Sequence, residues 1–381
     1  MGSLRAMPLS EELHSAPAGT RFESTDPATG AVVGVFPVHD ADAVRETVER
    51  ARPAATAWAA LGFDGRRTRL DAWRGSLARR LHELADLVHR ENGKPHADAV
   101  LEITLAIDHL AWAAGHARRT LGPRRVNPGL LAANHAASLE YQPLGVVGVI
   151  GPWNYPVFTP MGSIAYALAA GNAVVFKPSE FTPAVGAWLV AAWRAAVPDA
   201  PDVLQLVTGA GGTGAALCRA GVGKLAFTGS APTGRKVMAA CAETLTPVLM
   251  ELGGKDAMIV DDDADVPAAA DAAVWGGMSN AGQTCIGIER VYATSAVYDR
   301  FVAEVTARVR DLRPGSDDAA SYGPMTMAGQ TDVVRRHLDD ARAAGGTVAA
   351  GGTVDGGWIA PTVLLDVPET SAAVHLSLIH I

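Results

Sequence analysis

At 381 residues, 19% of them charged and 49% hydrophobic, the chain is long enough for two domains around a large core, which excludes disordered and collagen-like classes. A net charge of −8 supplies no basic excess to displace counterions from phosphates, which argues against nucleic acid as a partner and for small-molecule chemistry.

The N-terminus lacks the apolar core of a signal peptide, because Glu11, Glu12 and His14 interrupt it. Ala6 stands where a myristoylation signal opening on Met1-Gly2 requires Ser or Thr. Residues 1–38 hold short strand-like pieces such as 31–36, set off by Asp26-Pro27 and Thr29-Gly30 turn signals. Asp40 reads as the N-cap of a helix running to about Trp58. Leu70, Trp73, Leu77, Leu81, Leu84 and Val88 recur at helical steps and predict a second helix, ended by Gly93 and Pro95. A third helix is predicted over 97–117, and the arginines and glutamates on the other faces are expected to be solvated. Two prolines, Pro123 and Pro143, bracket an alternating piece at 137–141 that is expected to leave the domain body.

From Gly145 short apolar or β-branched runs at 146–150, 173–176, 203–207, 225–228 and 248–252 alternate with helical segments at 161–170, 183–197, 213–220 and 233–244. Runs apolar on both faces, separated by helices, predict an α/β fold with a doubly wound parallel sheet. Such sheets take ligands at the carboxyl ends of their strands. Segments 152–156, 177–180, 209–214, 229–234 and 251–255 each follow a strand end and are expected to converge on one rim. After Lys255, a strand at 257–260, a helix at 266–279, a loop around Cys285, a strand at 290–294 and helices at 298–310 and 331–344 predict a second α/β domain. The most apolar stretch, 161–176, is broken by Gly171-Asn172 and is too short to span a bilayer. Cys218, Cys241 and Cys285 cannot all pair and form no C-x-x-C. This favours a reducing, cytoplasmic setting and offers no zinc framework; no metal is expected.

Cys285 lies between Gly282 and Gly287 among small and polar residues, whereas a core cysteine usually has apolar flanks. We read it as a nucleophile, with a lowered pKa expected. Glu251 follows the apolar run 247–250 and precedes Gly253-Gly254, a setting that predicts partial burial, a raised pKa and a role as general base. Asn154, in Gly151-Pro152-Trp153-Asn154-Tyr155-Pro156, is either part of a proline-bracketed turn or an amide aimed at an oxyanion, worth on the order of 3 kcal/mol if well placed. Two glycine clusters compete for cofactor phosphates. Gly209-Ala210-Gly211-Gly212-Thr213-Gly214 matches G-x-G-x-x-G but comes late for a first βα turn. Phe227-Thr228-Gly229-Ser230 precedes a helix whose N-terminus offers free N–H groups. Lys177 and Glu180 either bond ribose hydroxyls at a strand end or are solvated loop charges.

Taken together, Pro152-Trp153-Asn154-Tyr155-Pro156, Lys177-Pro178-Ser179-Glu180, Phe227-Thr228-Gly229-Ser230, Glu251-Leu252-Gly253-Gly254-Lys255 and Gly282-Gln283-Thr284-Cys285 resemble, in order and spacing, the aldehyde dehydrogenase superfamily. The resemblance runs from about Thr25 to Val374. It implies NAD(P)-dependent oxidation of an aldehyde to a carboxylic acid through a thiohemiacetal and then a thioester. By resemblance, Cys285 attacks, Asn154 and the Cys285 N–H hold the oxyanion, and Glu251 activates the hydrolytic water. Lys177 and Glu180 would contact the adenosine ribose, Ser230 and Trp153 the pyrophosphate, and Gly209 and Gly214 the adenine side. Ile150, Ser179, Phe227, Thr228, Gly229, Thr233, Leu252 and Gly253 complete the implied cofactor site. Glu180 favours NAD, with NADP possible. The implied domains are 1–122 (the N-terminal helical part of the cofactor domain), 123–143 (an oligomerisation arm), 144–252 (the dinucleotide-binding sheet) and 253–374 (the catalytic domain). The full-length form is expected to be a homo-oligomer.

The family's Glu-x-Phe-Gly-Pro segment is absent, and 375–381 is expected to be an artefactual tail, since Leu376 to Ile381 resembles a translated sequencing adapter. The catalytic domain is therefore expected to be truncated and the fragment weakly active or inactive. Two alternatives are a cofactor-binding fragment without turnover and a CoA-acylating dehydrogenase, against which Glu251 argues. No histidine lies in a strand-end motif, which argues against a Cys–His hydrolase. Thr284, Ile286 and Ile288-Glu289-Arg290 resemble succinate-semialdehyde and broad-range bacterial members.

Overall fold

Residues 20–377 are described by a computed structural model. The expectations resting on Ala6, Glu11, Glu12, His14 and residues 378–381 lie outside the described residues. A hairpin of β1 (Arg21–Thr25) and β2 (Val32–Pro37) leads into α1 (Ala41–Ala60). Asp40 caps α1 by accepting from the Ala43 N–H. The single helix predicted around Leu70–Val88 is two: α2 (Gly62–Arg79) and α3 (Leu81–Asn92). Arg80 leaves helical geometry at ψ 23°, and its guanidinium is occupied by Glu83 and by the Trp188 ring, 4.4 Å away. That tertiary partner is invisible to periodicity. Gly93 ends α3 at φ +90°, in the left-handed region where glycine is at ease. Helix α4 (His96–Leu121) follows. Then β3 (Arg124–Val126) and β4 (Ala137–Leu139) pair as an antiparallel hairpin with Leu130 and Leu131 fully exposed between them.

The central sheet comprises β5 (Val146–Ile150), β6 (Ala173–Lys177), β7 (Leu204–Leu206), β8 (Lys224–Gly229) and β9 (Val248–Leu252), all parallel, in the order β7-β6-β5-β8-β9. Helices α5 (Phe158–Ala169), α6 (Pro183–Ala196), α7 (Gly211–Arg219) and α8 (Ala231–Ala242) connect them. Alternate strand residues enter opposite layers. Val147, Val149, Val174 and Phe176 pack with α2–α6, whereas Val146, Ile150, Ala173 and Val175 pack with α1, α7 and α8. That period-two split makes the sheet doubly wound. Two strands depart from expectation. The predicted 203–207 strand shrinks to three residues because a 3-10 turn occupies Pro201–Val203. β9 is an edge strand, so its outer face is open and Leu249 is 51% exposed.

The second unit pairs β10 (Asp256–Val260) with β11 (Ile288–Ala293) in parallel. Packed on them are α9 (Val266–Met278) and α10 (Tyr298–Arg310), through Val266, Ala270, Val274, Phe301 and Val305. Helix α11 (Ala328–Ala343), two small antiparallel pairs and the short α12 (Ala372–His375) follow. No described helix is long and apolar enough to cross a membrane.

Candidate active site

The parallel register aligns the strand ends. Ile150 lies beside Lys177 and Phe227, Thr228 beside Glu251, and Gly229 beside Leu252. The predicted rim segments after β5, β6, β8 and β9 are thereby brought together. Helix α7 joins them, because a side chain added at Gly214 would meet Ile150 and Lys177 at 3.8 Å. Gly209, at φ +142°, turns the chain into α7, and any larger residue would collide with Thr213. Ser230 caps α8 by accepting from the Thr233 N–H at 3.4 Å, and Leu252 packs against Gly234 in its first turn. The Phe227 ring occupies the space a Gly229 side chain would need.

Lys177 is buried at this rim, not solvated. Its ammonium donates to the Pro178 carbonyl at 2.9 Å and lies 3.7 Å from the half-buried Glu180 carboxylate. Burial lowers its pKa and the Glu180 charge opposes that shift. A buried ammonium with one close acceptor keeps donor capacity, and Glu180 beside it can accept from a hydroxyl. This donor–acceptor pair at a strand end fits a ribose. Ser179, also buried, accepts from the Phe181 N–H at 3.3 Å.

The cysteine loop faces this rim. Asn280, Ala281 and Gly282 all have positive φ, at 54°, 56° and 73°. For the first two this costs on the order of 1–2 kcal/mol each, so the loop needs outside support. Buried polar contacts supply it. Gln283 donates to the Asn280 carbonyl at 2.9 Å and accepts from the Thr326 N–H at 3.0 Å. The Asn280 amide donates to the Asn154 carbonyl at 3.0 Å. In return the Asn154 amide donates to the Gln283 carbonyl at 2.9 Å, and its second N–H has no acceptor among the described residues. Tyr155 meets the Thr284 hydroxyl at 2.9 Å. Cys285 emerges half-buried, and its own N–H and that of Ile286 favour the thiolate.

Two electrostatic expectations are corrected. The Cys285 pKa is raised, not lowered: burial pushes it up, the Glu251 charge adds to this, and the two N–H groups only partly offset them. Glu251 is exposed, not partly buried, because it sits on the open edge strand β9. Its charge still raises the Cys285 pKa, so the two groups sense one another.

Several supporting residues escaped the sequence reading, which took the helix charges as solvated. Lys94 and Glu102 are fully buried and paired at 2.6 Å. Asn92 donates to the Trp153 carbonyl at 2.8 Å and to the Thr326 hydroxyl at 3.1 Å. Trp153 itself is buried. Glu91 is buried and accepts from Ser24 and from the first N–H groups of α6. The signal for Glu102 was a carboxylate on the apolar stripe Ala99, Ile103, Ala106, Leu110 of α4.

Residues 14–376 match the model of the aldehyde dehydrogenase family. The chain is 38% identical over 351 residues to a 4,4'-diapolycopene aldehyde oxidase of a Methylomonas species, covering 91% of this chain and 66% of that protein. It is 36% identical to a glutarate-semialdehyde dehydrogenase of Pseudomonas putida, covering 93% and 74% respectively. The crystal structure of an NADP-dependent enzyme from Escherichia coli superimposes with a TM-score of 0.89 at 34% identity, covering 93% of this chain and 74% of that one. The chain thus spans about two thirds to three quarters of the length of these relatives.

Proposed function

This chain belongs to the aldehyde dehydrogenase family, NAD(P)-dependent oxidoreductases acting on aldehydes, and on that premise we propose how its residues divide the reaction. The observation that carries the reading is the Asn154 amide bonded to the cysteine loop at Gln283, beside a Cys285 thiol whose pKa the Glu251 charge helps to raise. The Cys285 thiolate adds to the aldehyde carbon, forming a C–S bond. The oxyanion that develops is held by the free Asn154 N–H and the Cys285 N–H. The bound dinucleotide supplies the acceptor for the hydride that leaves this carbon. Glu251, open to solvent, takes a proton from water as the water attacks the resulting Cys285 thioester; the carboxylic acid departs and the thiolate returns. Lys177, Glu180 and Ser179 would hold the ribose. Ser230, Thr233 and Trp153 would contact the pyrophosphate, and Gly209, Gly214 and Ile150 would line the adenine side. Phe227, Thr228, Gly229, Leu252 and Gly253 would form the remaining floor.

A Glu180 carboxylate would repel a 2′-phosphate, so NAD is the preferred cofactor, and a higher efficiency with NADP would overturn this. A semialdehyde substrate is supported by the Pseudomonas relative and is tested by comparing glutarate semialdehyde with an unbranched alkanal of equal length. Self-association through the exposed hairpin at 124–139 is supported by Leu130 and Leu131, and light scattering decides it. Three free cysteines support a cytoplasmic setting. The core assignment is tested by denaturing the protein after mixing it with p-nitrophenyl acetate: acetyl on Cys285 is expected, and acetylation elsewhere, or none, sinks it.

A further inference from the structure

We propose that Lys94 is a positioning residue for the oxyanion site, aiming the Asn154 amide and seating Tyr155 against the cysteine loop. The proposal rests on the reading of Asn154 as an oxyanion donor. The Lys94 ammonium is completely buried and distributes its three N–H directions over three partners. It donates to Glu102 at 2.6 Å and to the Asn154 main-chain carbonyl at 2.8 Å, and it lies 4.1 Å from the centre of the Tyr155 ring. The same Asn154 carbonyl accepts from the Asn280 amide. Two donors on one oxygen fix the 154–155 peptide plane, one of them charge-assisted and therefore roughly twice as strong as a neutral bond. With that plane fixed, the Asn154 side chain reaches Gln283 while the Tyr155 hydroxyl reaches Thr284, next to the nucleophile. The other Glu102 oxygen accepts from the Val157 and Phe158 N–H groups at 2.7 and 3.1 Å, pinning the far end of the loop to the start of α5. The ion pair therefore grips the Asn154 loop at both ends, with Lys94 in the link between α3 and α4 and Glu102 on α4, 8 residues on in sequence.

The test compares two reactions at Cys285 that differ in needing an oxyanion donor. With p-nitrophenyl acetate, sulfur adds to the carbonyl carbon, charge develops on oxygen, the ester C–O bond breaks and p-nitrophenolate leaves. With iodoacetamide, sulfur displaces iodide and no oxyanion forms. Cys218 and Cys241 are buried and do not compete. In the charge-neutral double variant Lys94→Met with Glu102→Gln, burst acylation should fall about 10- to 100-fold. Alkylation should stay within about 2-fold of the parent, the scatter expected of independent sites. Added to Asn154→Ala, the double variant should cost less than about 2-fold more acylation, because Lys94 acts through Asn154. Parental acylation in the double variant, equal losses in both reactions, or effects that multiply with Asn154→Ala would each overturn the proposal. Failure of the underlying reading looks different: Asn154→Ala alone would then acylate at the parental rate. Should the double variant melt below the assay temperature, Glu102→Asp, which keeps both charges and draws the ammonium away, carries the same comparison.

Discussion

Two lysine–glutamate pairs lie beside the candidate site and differ in how completely their charges are met. Lys94 and Glu102 are fully buried at 2.6 Å, and the remaining oxygens and N–H directions of both meet loop backbone or an aromatic ring. Lys177 and Glu180 are 3.7 Å apart, with the lysine buried and the glutamate 39% exposed. A buried charge is costly unless all its partners are in place. The first pair meets that condition from within the protein and so serves as architecture. The second leaves capacity unused at a strand end, as the proposed ribose contact requires. The same residue types thus divide into support and recognition by the completeness of their contacts.

The largest effect is expected at an exposed carboxylate that belongs to neither pair. Glu251→Gln should leave burst acylation intact but slow acyl-enzyme hydrolysis about 10²- to 10⁴-fold, read as acetyl-Cys285 persisting in intact-mass spectra. Unchanged hydrolysis would remove Glu251 as the base. In the buried pair, Lys94→Ala should cost about 3–5 kcal/mol in urea unfolding, because it strands a buried carboxylate. Lys177→Met should stay within about 1 kcal/mol of the parent in the same assay, since removing a buried charge offsets the lost bond to the Pro178 carbonyl and Glu180 keeps access to solvent. A comparable loss in both variants would erase the distinction. Calorimetric titration should show NAD⁺ binding about 10-fold weaker in Lys177→Met, as expected for one charge-assisted contact.

The smallest effect concerns the thiol. Its pKa is raised by burial and by Glu251, so at neutral pH its thiolate fraction lies below that of an ordinary cysteine. Iodoacetamide alkylation should therefore climb with pH and inflect above the usual thiol range. Removing the repulsion with Glu251→Gln lowers that pKa, so alkylation near neutrality should quicken about 2- to 5-fold and converge with the parent at high pH. An identical profile would mean that the two groups do not sense one another.

Much of the sheet was legible in the sequence because its signals are local. Val146–Ile150 and Ala173–Lys177 read as strands from composition alone, and Asp40 and Gly93 marked helix ends through the chemistry of caps. A parallel sheet then carries the motifs at its strand ends to one rim without further information. Other features have partners far away in sequence. The Arg80 side chain at the helix break meets Trp188, and Glu251 is exposed on β9, the outermost strand of its sheet.

The sequence by itself determined most of the order of strands and helices, the family and the choice of candidate reacting groups, because these rest on periodicity and short motifs. Only the tertiary structure decided which charges are buried, why Cys285 titrates high, and that Lys94, Glu102, Asn92 and Thr326 brace the Asn154 and cysteine loops. Burial and electrostatic coupling are properties of what surrounds a group from every direction, and most of those neighbours come from distant parts of the chain.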